Sequence, residues 1–343
     1  MEMRKLRFAT IGAGFWAQYQ LAGWYEVSGV ECVAICNRTA AKAESLAQKF
    51  TINRVYTDPL QMLANEKIDF VDIITGVESH CAFVKMAAEH KIPVVCQKPM
   101  AINYTTAMEM VETCNRASVP FFVNENWRWQ SPLRELKRVL ESRELGNPFR
   151  ARLDMISGFP VFHNQPFLRS LDQFILTDLG SHILDVARFL FGEAASLYCQ
   201  THQIHSGICG EDAATIVLKM KSDVTVVVNM AYAGNHVERE CFPQTLVFVE
   251  ASGGSVEVFP DYELHVTTST GTRVSRHAPT RYSWADPGYE IVHSSIVPCQ
   301  RDILHGLLGG IAETTGEDNL KTSRLVFASY ESAAKNQVVP LES

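Results

Sequence analysis

Apolar positions in the first third of the chain come in short blocks separated by longer amphipathic stretches. The runs at residues 6–11, 31–36, 70–74, 93–96 and 121–124 are β-prone and read as buried strands. Between them, residues 15–25, 40–50, 59–65, 80–90 and 105–117 carry helical spacing. Thr39, Asp58, Ser79 and either Asn103 or Tyr104-Thr105 stand where N-caps belong. Alternation of this kind predicts a doubly wound parallel sheet, with its ligand crevice at the carboxyl ends of the strands. Gly12, Asn37, Thr75 and Lys98 collect at that end.

The texture changes after residue 125. A helix is predicted at 132–143, a strand at 150–157 and a long helix at 175–191 that stops at Gly192. Alternating runs follow at 197–204, 213–220, 224–231, 245–250, 255–260 and 263–268, with turn chemistry at Lys221-Ser222-Asp223 and Ser252-Gly253-Gly254. Strands in succession without helices imply a mostly antiparallel sheet. Residues 297–315 and 320–335 return to helical spacing. The predicted organisation is an α/β dinucleotide-binding domain over 1–125 and an α+β domain with an open sheet over 126–343.

Composition narrows the function. Of the 343 residues 46% are hydrophobic, and the net charge of −7 comes with no basic block, which argues against nucleic acid as a partner. No apolar stretch approaches the ~20 residues of a membrane span. The start, Met1-Glu2-Met3-Arg4-Lys5, runs directly into the first strand, so the expectation is a cytoplasmic protein without a signal peptide. The nine cysteines include no C-x-x-C pair. Cys32, Cys36 and Cys96 fall in predicted strands and read as reduced, buried thiols.

Candidate chemistry begins at Gly12-Ala13-Gly14-Phe15-Trp16-Ala17, placed behind a strand and opening a helix. In that context G-x-G-x-x-A is a dinucleotide fingerprint. Gly12 permits the turn, Gly14 lets the backbone approach a pyrophosphate, and Ala17 allows close helix packing, with Phe15 and Trp16 at the helix start. Where an NAD site usually carries an acid, this chain has Asn37, followed by Arg38. Asn37 can bond a ribose hydroxyl, and Arg38 can pair with a 2′-phosphate, so NADP or NAD is expected with a slight lean to NADP.

Three further features carry chemistry. Lys98, after Gln97 and before Pro99 at a strand end, can meet both a substrate hydroxyl and the cofactor ribose. Asp178, His182 and Asp185 share one helical face, so a carboxylate lies one turn from an imidazole suited to general-base work. The same set is a conceivable facial metal triad, but the expectation is a site without metal. Residues 122–130 mix amides, tryptophans and arginine. Asn126 and Arg128 are the candidates there for sugar hydroxyls, against the rival reading of a packing segment.

Taken jointly, these motifs resemble the glucose–fructose oxidoreductase and inositol dehydrogenase family, Gfo/Idh/MocA, over nearly the whole chain. Gly12, Gly14 and Ala17 match its glycine loop. Gln97-Lys98-Pro99 matches its Glu-Lys-Pro, and Asp178 with His182 its Asp-x-x-x-His helix, with Asp185 in the usual following position. The resemblance implies an N-terminal Rossmann domain and a nicotinamide-dependent oxidoreductase acting on a sugar, sugar acid or cyclic polyol. In its chemistry Lys98, Asp178 and His182 act together, and Gln97 and Thr75 lie on the cofactor side. It also implies a last helix, 320–335, packing back on the first domain, and a homodimer or homotetramer through the open sheet. Other members are NAD-dependent glycosidases or non-catalytic sugar sensors. The Asn126-Trp127-Arg128-Trp129 segment is similar to that of sugar dehydrogenases of the D-apiose type. Two departures stand out: Gln97 replaces the usual glutamate, and Thr75-Gly76-Val77-Glu78 replaces the usual Thr-Pro turn.

Overall fold

A computed structural model describes residues 4–235, 237–238 and 242–341. The chain divides into two compact units. The first comprises 1–125, 282–285 and 296–323, and the second 126–281, 286–295 and 324–343. Residues 282–285 and 296–323 thus group with the first unit, where the sequence reading assigned everything beyond 125 to the second domain. The last long helix contributes residues to both units.

In the first unit, β1 (Leu6–Ile11), β2 (Val30–Cys36), β3 (Arg54–Tyr56), β4 (Phe70–Ile73), β5 (Val94–Cys96) and β6 (Phe121–Val123) form one sheet in the order β3-β2-β1-β4-β5-β6. Every pairing in it is parallel. The order reverses beside β1, which makes its carboxyl end the ligand crevice of a doubly wound sheet. The helices between strands are α1 (Ala17–Tyr25), α2 (Ala40–Phe50), α3 (Pro59–Asn65), α4 (Val77–Glu89) and α5 (Tyr104–Ala117). Two of the anticipated caps are made by side chains. Asp58 accepts from the Leu60 N–H at 2.9 Å, and Asn103 from that of Thr106 at 2.8 Å. Ser79 lies inside α4, which begins two residues earlier, behind Gly76. Under the sheet, Phe8 stacks on Phe70 with ring centroids 4.9 Å apart, and Trp24 leans on both.

The second unit opens with a single 3₁₀ turn, Trp127–Trp129, and α6 (Ser131–Ser142). The strand β7 (Pro148–Ile156), a short α7 (Val161–Asn164), α8 (Ile175–Asp178) and α9 (Gly180–Phe191) follow. The long helix read at 175–191 is interrupted at Leu179, between Asp178 and Gly180. Then come β8 (Ala194–His202), β9 (Ala213–Met220), β10 (Thr225–Ala231), β11 (Leu246–Ala251), β12 (Gly254–Val258), β13 (Glu263–Thr268) and β14 (Gly271–Arg276). With β15 (Val339–Pro340) they make a nine-stranded sheet ordered β14-β13-β12-β11-β7-β10-β9-β8-β15. It is antiparallel except where β7 pairs with β10. Alternate residues are buried along β9 and β10, so one face of the sheet packs on the core.

The helix anticipated at 297–315 runs instead over Glu290–Leu307, as α10, and tolerates Pro298 inside it. It stops before Gly309, whose φ of +91° suits glycine and breaks helical geometry. The final helix, α11 (Gly316–Lys335), begins four residues earlier than its spacing suggested.

The first unit is built around a buried carboxylate. Asp72 sits in β4 with no solvent exposure. Its Oδ2 accepts from Trp24 Nε1 at 2.7 Å and Gln20 Nε2 at 3.1 Å, and its Oδ1 from Asn124 Nδ2 at 3.3 Å. Gln97 extends the chain, donating from Nε2 to Gln20 Oε1 at 3.1 Å, and Gln300 donates to the Gln20 carbonyl at 2.8 Å. All of these donors are neutral. Burial pushes the Asp72 carboxyl up to about 6, although the three donors hold it down. Its folded value therefore lies above its unfolded one, and the native state holds a proton that the unfolded chain has released. This contribution to stability is complete below about pH 4 and is lost as pH rises through about 6. Asp72→Asn cannot ionise. Relative to the wild type it should gain stability between pH 4 and 6.5, by up to about 3 kcal/mol. Denaturant melts of both proteins across that window check this, and a constant difference would show an ordinary carboxyl.

Candidate active site

The crevice side of the first unit is shaped by backbone constraints. Gly12 has φ +116°, and a Cβ there would fall 2.4 Å from the Ile74 carbonyl oxygen, so only glycine fits. Its N–H donates to the Cys36 carbonyl at 2.8 Å, which ties the loop to the end of β2. Gly14 is exposed, and a Cβ added to it would meet nothing within 4 Å. The face of the loop is thus open to a close-fitting ligand. Trp16, the N-cap of α1, supplies no side-chain acceptor to the first N–H groups of that helix. Ala17 is fully buried, as close helix packing requires, while Phe15 is 55% exposed and rests edge-on against Tyr19. An open glycine loop at an uncapped helix start fits the pyrophosphate of a dinucleotide.

Asn37 has structural duties beyond those read from the sequence. Its Oδ1 accepts from the Ala13 N–H at 3.1 Å and its Nδ2 donates to the Thr39 carbonyl at 3.0 Å, so the side chain holds the glycine loop. Arg38 beside it is exposed. Thr75 accepts at Oγ1 from the Ser79 hydroxyl at 2.7 Å. Its carbonyl lies 3.1 Å from Nε2 of His80, whose Nδ1 lies 3.3 Å from the Met100 carbonyl. His80 is buried, and burial lowers its affinity for a proton. It braces the Thr75 turn to the segment that follows Lys98-Pro99. Nothing in its sequence position marks that role, because both partners are backbone groups. Lys98 is half-buried at the end of β5. Gln97 is 7% exposed, and its Nε2 donates to Gln20 Oε1 at 3.1 Å, so part of its amide serves the protein interior.

In the second unit, the α8–α9 face is assembled by side chains from four other segments. Glu211 accepts from the N–H groups of Phe174 and Leu176 at 3.1–3.3 Å, and from the Tyr330 hydroxyl at 2.7 Å. It thereby fixes the start of α8. Asp178 accepts from the Tyr232 hydroxyl at 3.4 Å. Burial and the Asp178 carboxylate hold that phenol far above its ordinary value, so it stays a donor. His182 is 4% exposed, and its ring stacks on the indole of Trp127 with centroids 4.2 Å apart and planes 25° apart. Glu211 and Tyr232 had no readable signal, since each is distant in sequence from the helix it serves, whereas Trp127 lay in a segment the sequence had singled out without its contact to His182.

Asp185, next along that face, is fully buried. Arg128 grips it with two bonds, Nε to Oδ2 at 2.7 Å and NH2 to Oδ1 at 2.5 Å. The Arg128 side chain, read as a candidate for sugar hydroxyls, is 6% exposed and paired with a protein carboxylate, as the rival packing reading expects. Asn126 also bonds inside the protein. Its Nδ2 donates to the Val292 carbonyl at 3.0 Å and the Ser295 hydroxyl at 2.9 Å. Among the described residues, no cluster of three or more His, Cys, Asp or Glu is arranged to hold a metal ion.

Residues 6–125 match the model of an oxidoreductase family with an NAD-binding Rossmann fold, and residues 133–257 match the GFO/IDH/MocA C-terminal domain. The chain is 41% identical to a D-apiose dehydrogenase of Paraburkholderia graminis over 99% of its length and 91% of the relative's. It is equally identical to a D-apiose dehydrogenase of Rhizobium rhizogenes, covering 99% of each. An oxidoreductase from Agrobacterium radiobacter, solved in complex with NAD+, L-tartaric acid and magnesium, superposes with a TM-score of 0.95 at 41% identity, covering 98% of each chain. The chain belongs to the Gfo/Idh/MocA family of oxidoreductases and carries that family's NAD-binding Rossmann domain.

Proposed function

We propose that this protein is a nicotinamide-dependent sugar dehydrogenase that oxidises a carbinol of an aldose or related polyol, with D-apiose the first candidate. The observation that carries the reading is the Asp178–His182 face of α8 and α9. His182 in it is buried and Asp178 half-buried, both are held by neighbouring side chains, and the chain is similar end to end to D-apiose dehydrogenases. The nicotinamide ring, when bound, supplies the hydride acceptor. His182 takes the hydroxyl proton, directly or through Lys98, as that hydroxyl becomes a carbonyl. Asp178 orients His182 and favours its charged form, and Tyr232 holds the Asp178 carboxylate in place. Lys98 stabilises the negative charge that develops on the substrate oxygen.

Gly12, Gly14 and the start of α1 cradle the pyrophosphate. NADP is accepted beside NAD, with a slight lean toward NADP that rests on the exposed Arg38 and on an amide, not an acid, at Asn37. The active form is a homo-oligomer assembled through the outer face of the nine-stranded sheet. The protein works in the cytoplasm, in keeping with buried thiols such as Cys32, which burial pushes up to about 12, away from reactivity.

Incubating D-apiose, other aldoses, sugar acids and inositols with NAD or NADP, while following the absorbance of reduced cofactor, tests the substrate class. No turnover on any of them would overturn it. Lys98→Ala is expected to lower turnover on the order of 100-fold with cofactor affinity largely retained. A rate within a few-fold of wild type removes that role. His182→Ala should lose about 100- to 10,000-fold and Asp178→Asn less, and only the histidine variant should lose the ionisation on which the oxidation rises with pH. An unchanged pH profile in His182→Ala assigns the base elsewhere. Arg38→Ala should reduce catalytic efficiency with NADP more than with NAD. Equal losses, with a strong wild-type preference for NAD, would disprove the lean.

A further inference from the structure

The segment Asn126-Trp127-Arg128, read as either a sugar-binding or a packing segment, makes a specific set of contacts inside the protein. Trp127 is 4% exposed, and its Nε1 donates to the Thr245 hydroxyl at 2.8 Å. The indole is thus anchored at its edge by β11's approach, and its face lies on the His182 imidazole at 4.2 Å. The next residue, Arg128, holds Asp185, which lies three residues beyond His182 on α9. Asn126, the residue before, is tied to the start of α10 through Val292 and Ser295. Three consecutive residues therefore pin one short turn, and two of them pin it to the helix that carries the candidate base.

From this we infer that Trp127 is a positioning residue for His182: its indole face sets the plane of the imidazole and stabilises the imidazolium formed when His182 takes the substrate proton. The inference rests on His182 being the general base. Two physical effects support it. A ring held between a buried indole and its own helix cannot turn about its Cβ–Cγ bond without giving up the stack, so the reactive nitrogen keeps one direction. An indole face also attracts a cation lying over it, and most strongly where water is excluded. That attraction is absent for the neutral ring and present for the protonated one. It therefore favours the state reached after proton transfer, and it lowers the barrier without tightening substrate binding.

The test uses the full-length enzyme and a substrate identified by the screen. Trp127→Leu keeps apolar volume but removes the aromatic face, and should lower kcat roughly tenfold with KM within about twofold of wild type. Trp127→Phe keeps a face and should return kcat to within about threefold of wild type. Melting temperatures of both variants separate this loss from unfolding. A second measurement needs no cofactor or substrate. In the proton NMR spectrum of the wild type, the ring protons of His182, assigned by their absence in His182→Ala, should be shifted upfield by the indole ring current and should return toward ordinary positions in Trp127→Leu. Wild-type kcat in Trp127→Leu, a loss that Trp127→Phe does not recover, or unshifted His182 protons in the wild type would each overturn the proposal. If His182→Ala itself turns over at the wild-type rate, the base assignment falls and this inference with it. If His182→Ala is slow while Trp127→Leu is not, only the role of Trp127 is lost.

Discussion

The bidentate pair between Arg128 and Asp185 is the constraint from which the geometry around His182 follows. Both partners are buried, so neither charge can turn to water if the other is lost. Such a pair adds little net stability over apolar residues of similar size, yet removing one partner typically costs about 3–5 kcal/mol, because a bare charge stays behind. What it provides is register. The fork of the guanidinium accepts one orientation of the carboxylate, and that fixes the turn Trp127–Trp129 against α9 to within hydrogen-bond tolerance. Trp127 can then meet His182 face to face. Arg188 adds to the same corner, 3.8 Å from Asp185 while bonded to Glu193 at 2.8 and 3.0 Å. Two cations around one buried carboxylate hold that stretch of α9 in one arrangement.

The two units handle a buried carboxylate in opposite ways. Asp185 is neutralised by arginine, whereas Asp72 is surrounded by an indole, two amides and no cation. Neutral donors stabilise an anion less than a guanidinium does, so Asp72 is left with a raised proton affinity while organising Trp24, Gln20 and Asn124 around β4. Each arrangement directs its hydrogen bonds inward to one acceptor, which makes the surrounding side chains mutually dependent.

The architecture was largely legible in the sequence because it rests on periodicity. Five of the six strands of the first sheet are apolar runs bounded by glycine, proline or caps, and α2 and α3 match their spacing to the residue. The strands that escaped are short or lie at a sheet edge. Residues of β3 number three and lie at the sheet edge, and β14 is an edge strand exposed along nearly its whole length. The early start of α10 was hidden by Pro298, which fits the first turn of a helix beginning at 297, although the helix starts seven residues earlier and runs through it. For the site, the glycine loop, Lys98, Asp178 and His182 were legible as motifs. The supports were not: Glu211, Tyr232, Thr245 and His80 act across long sequence separations, which no local pattern encodes.

Three candidate site residues also carry bonds inside the protein. Asn126, Arg128 and Gln97 are polar, lie near family motifs, and have the chemistry that recognises sugars or ribose. Sequence alone cannot tell a polar group that awaits a ligand from one already satisfied inside the protein. Gln97 shows why the distinction matters. Its Nε2 donates to Gln20 Oε1, and Gln20 in turn donates to Asp72, so the bonds run in one direction toward the carboxylate. A glutamate at 97, the residue usual in the family, would place an acceptor against the Gln20 carbonyl oxygen. Gln20 would have to turn its amide over to satisfy it, and Asp72 would lose a donor while gaining a second buried negative charge nearby. The amide at 97 is therefore the choice consistent with the carboxylate at 72. The departure from the family motif belongs to the buried core of this chain, and the neighbouring Lys98 keeps its place at the strand end.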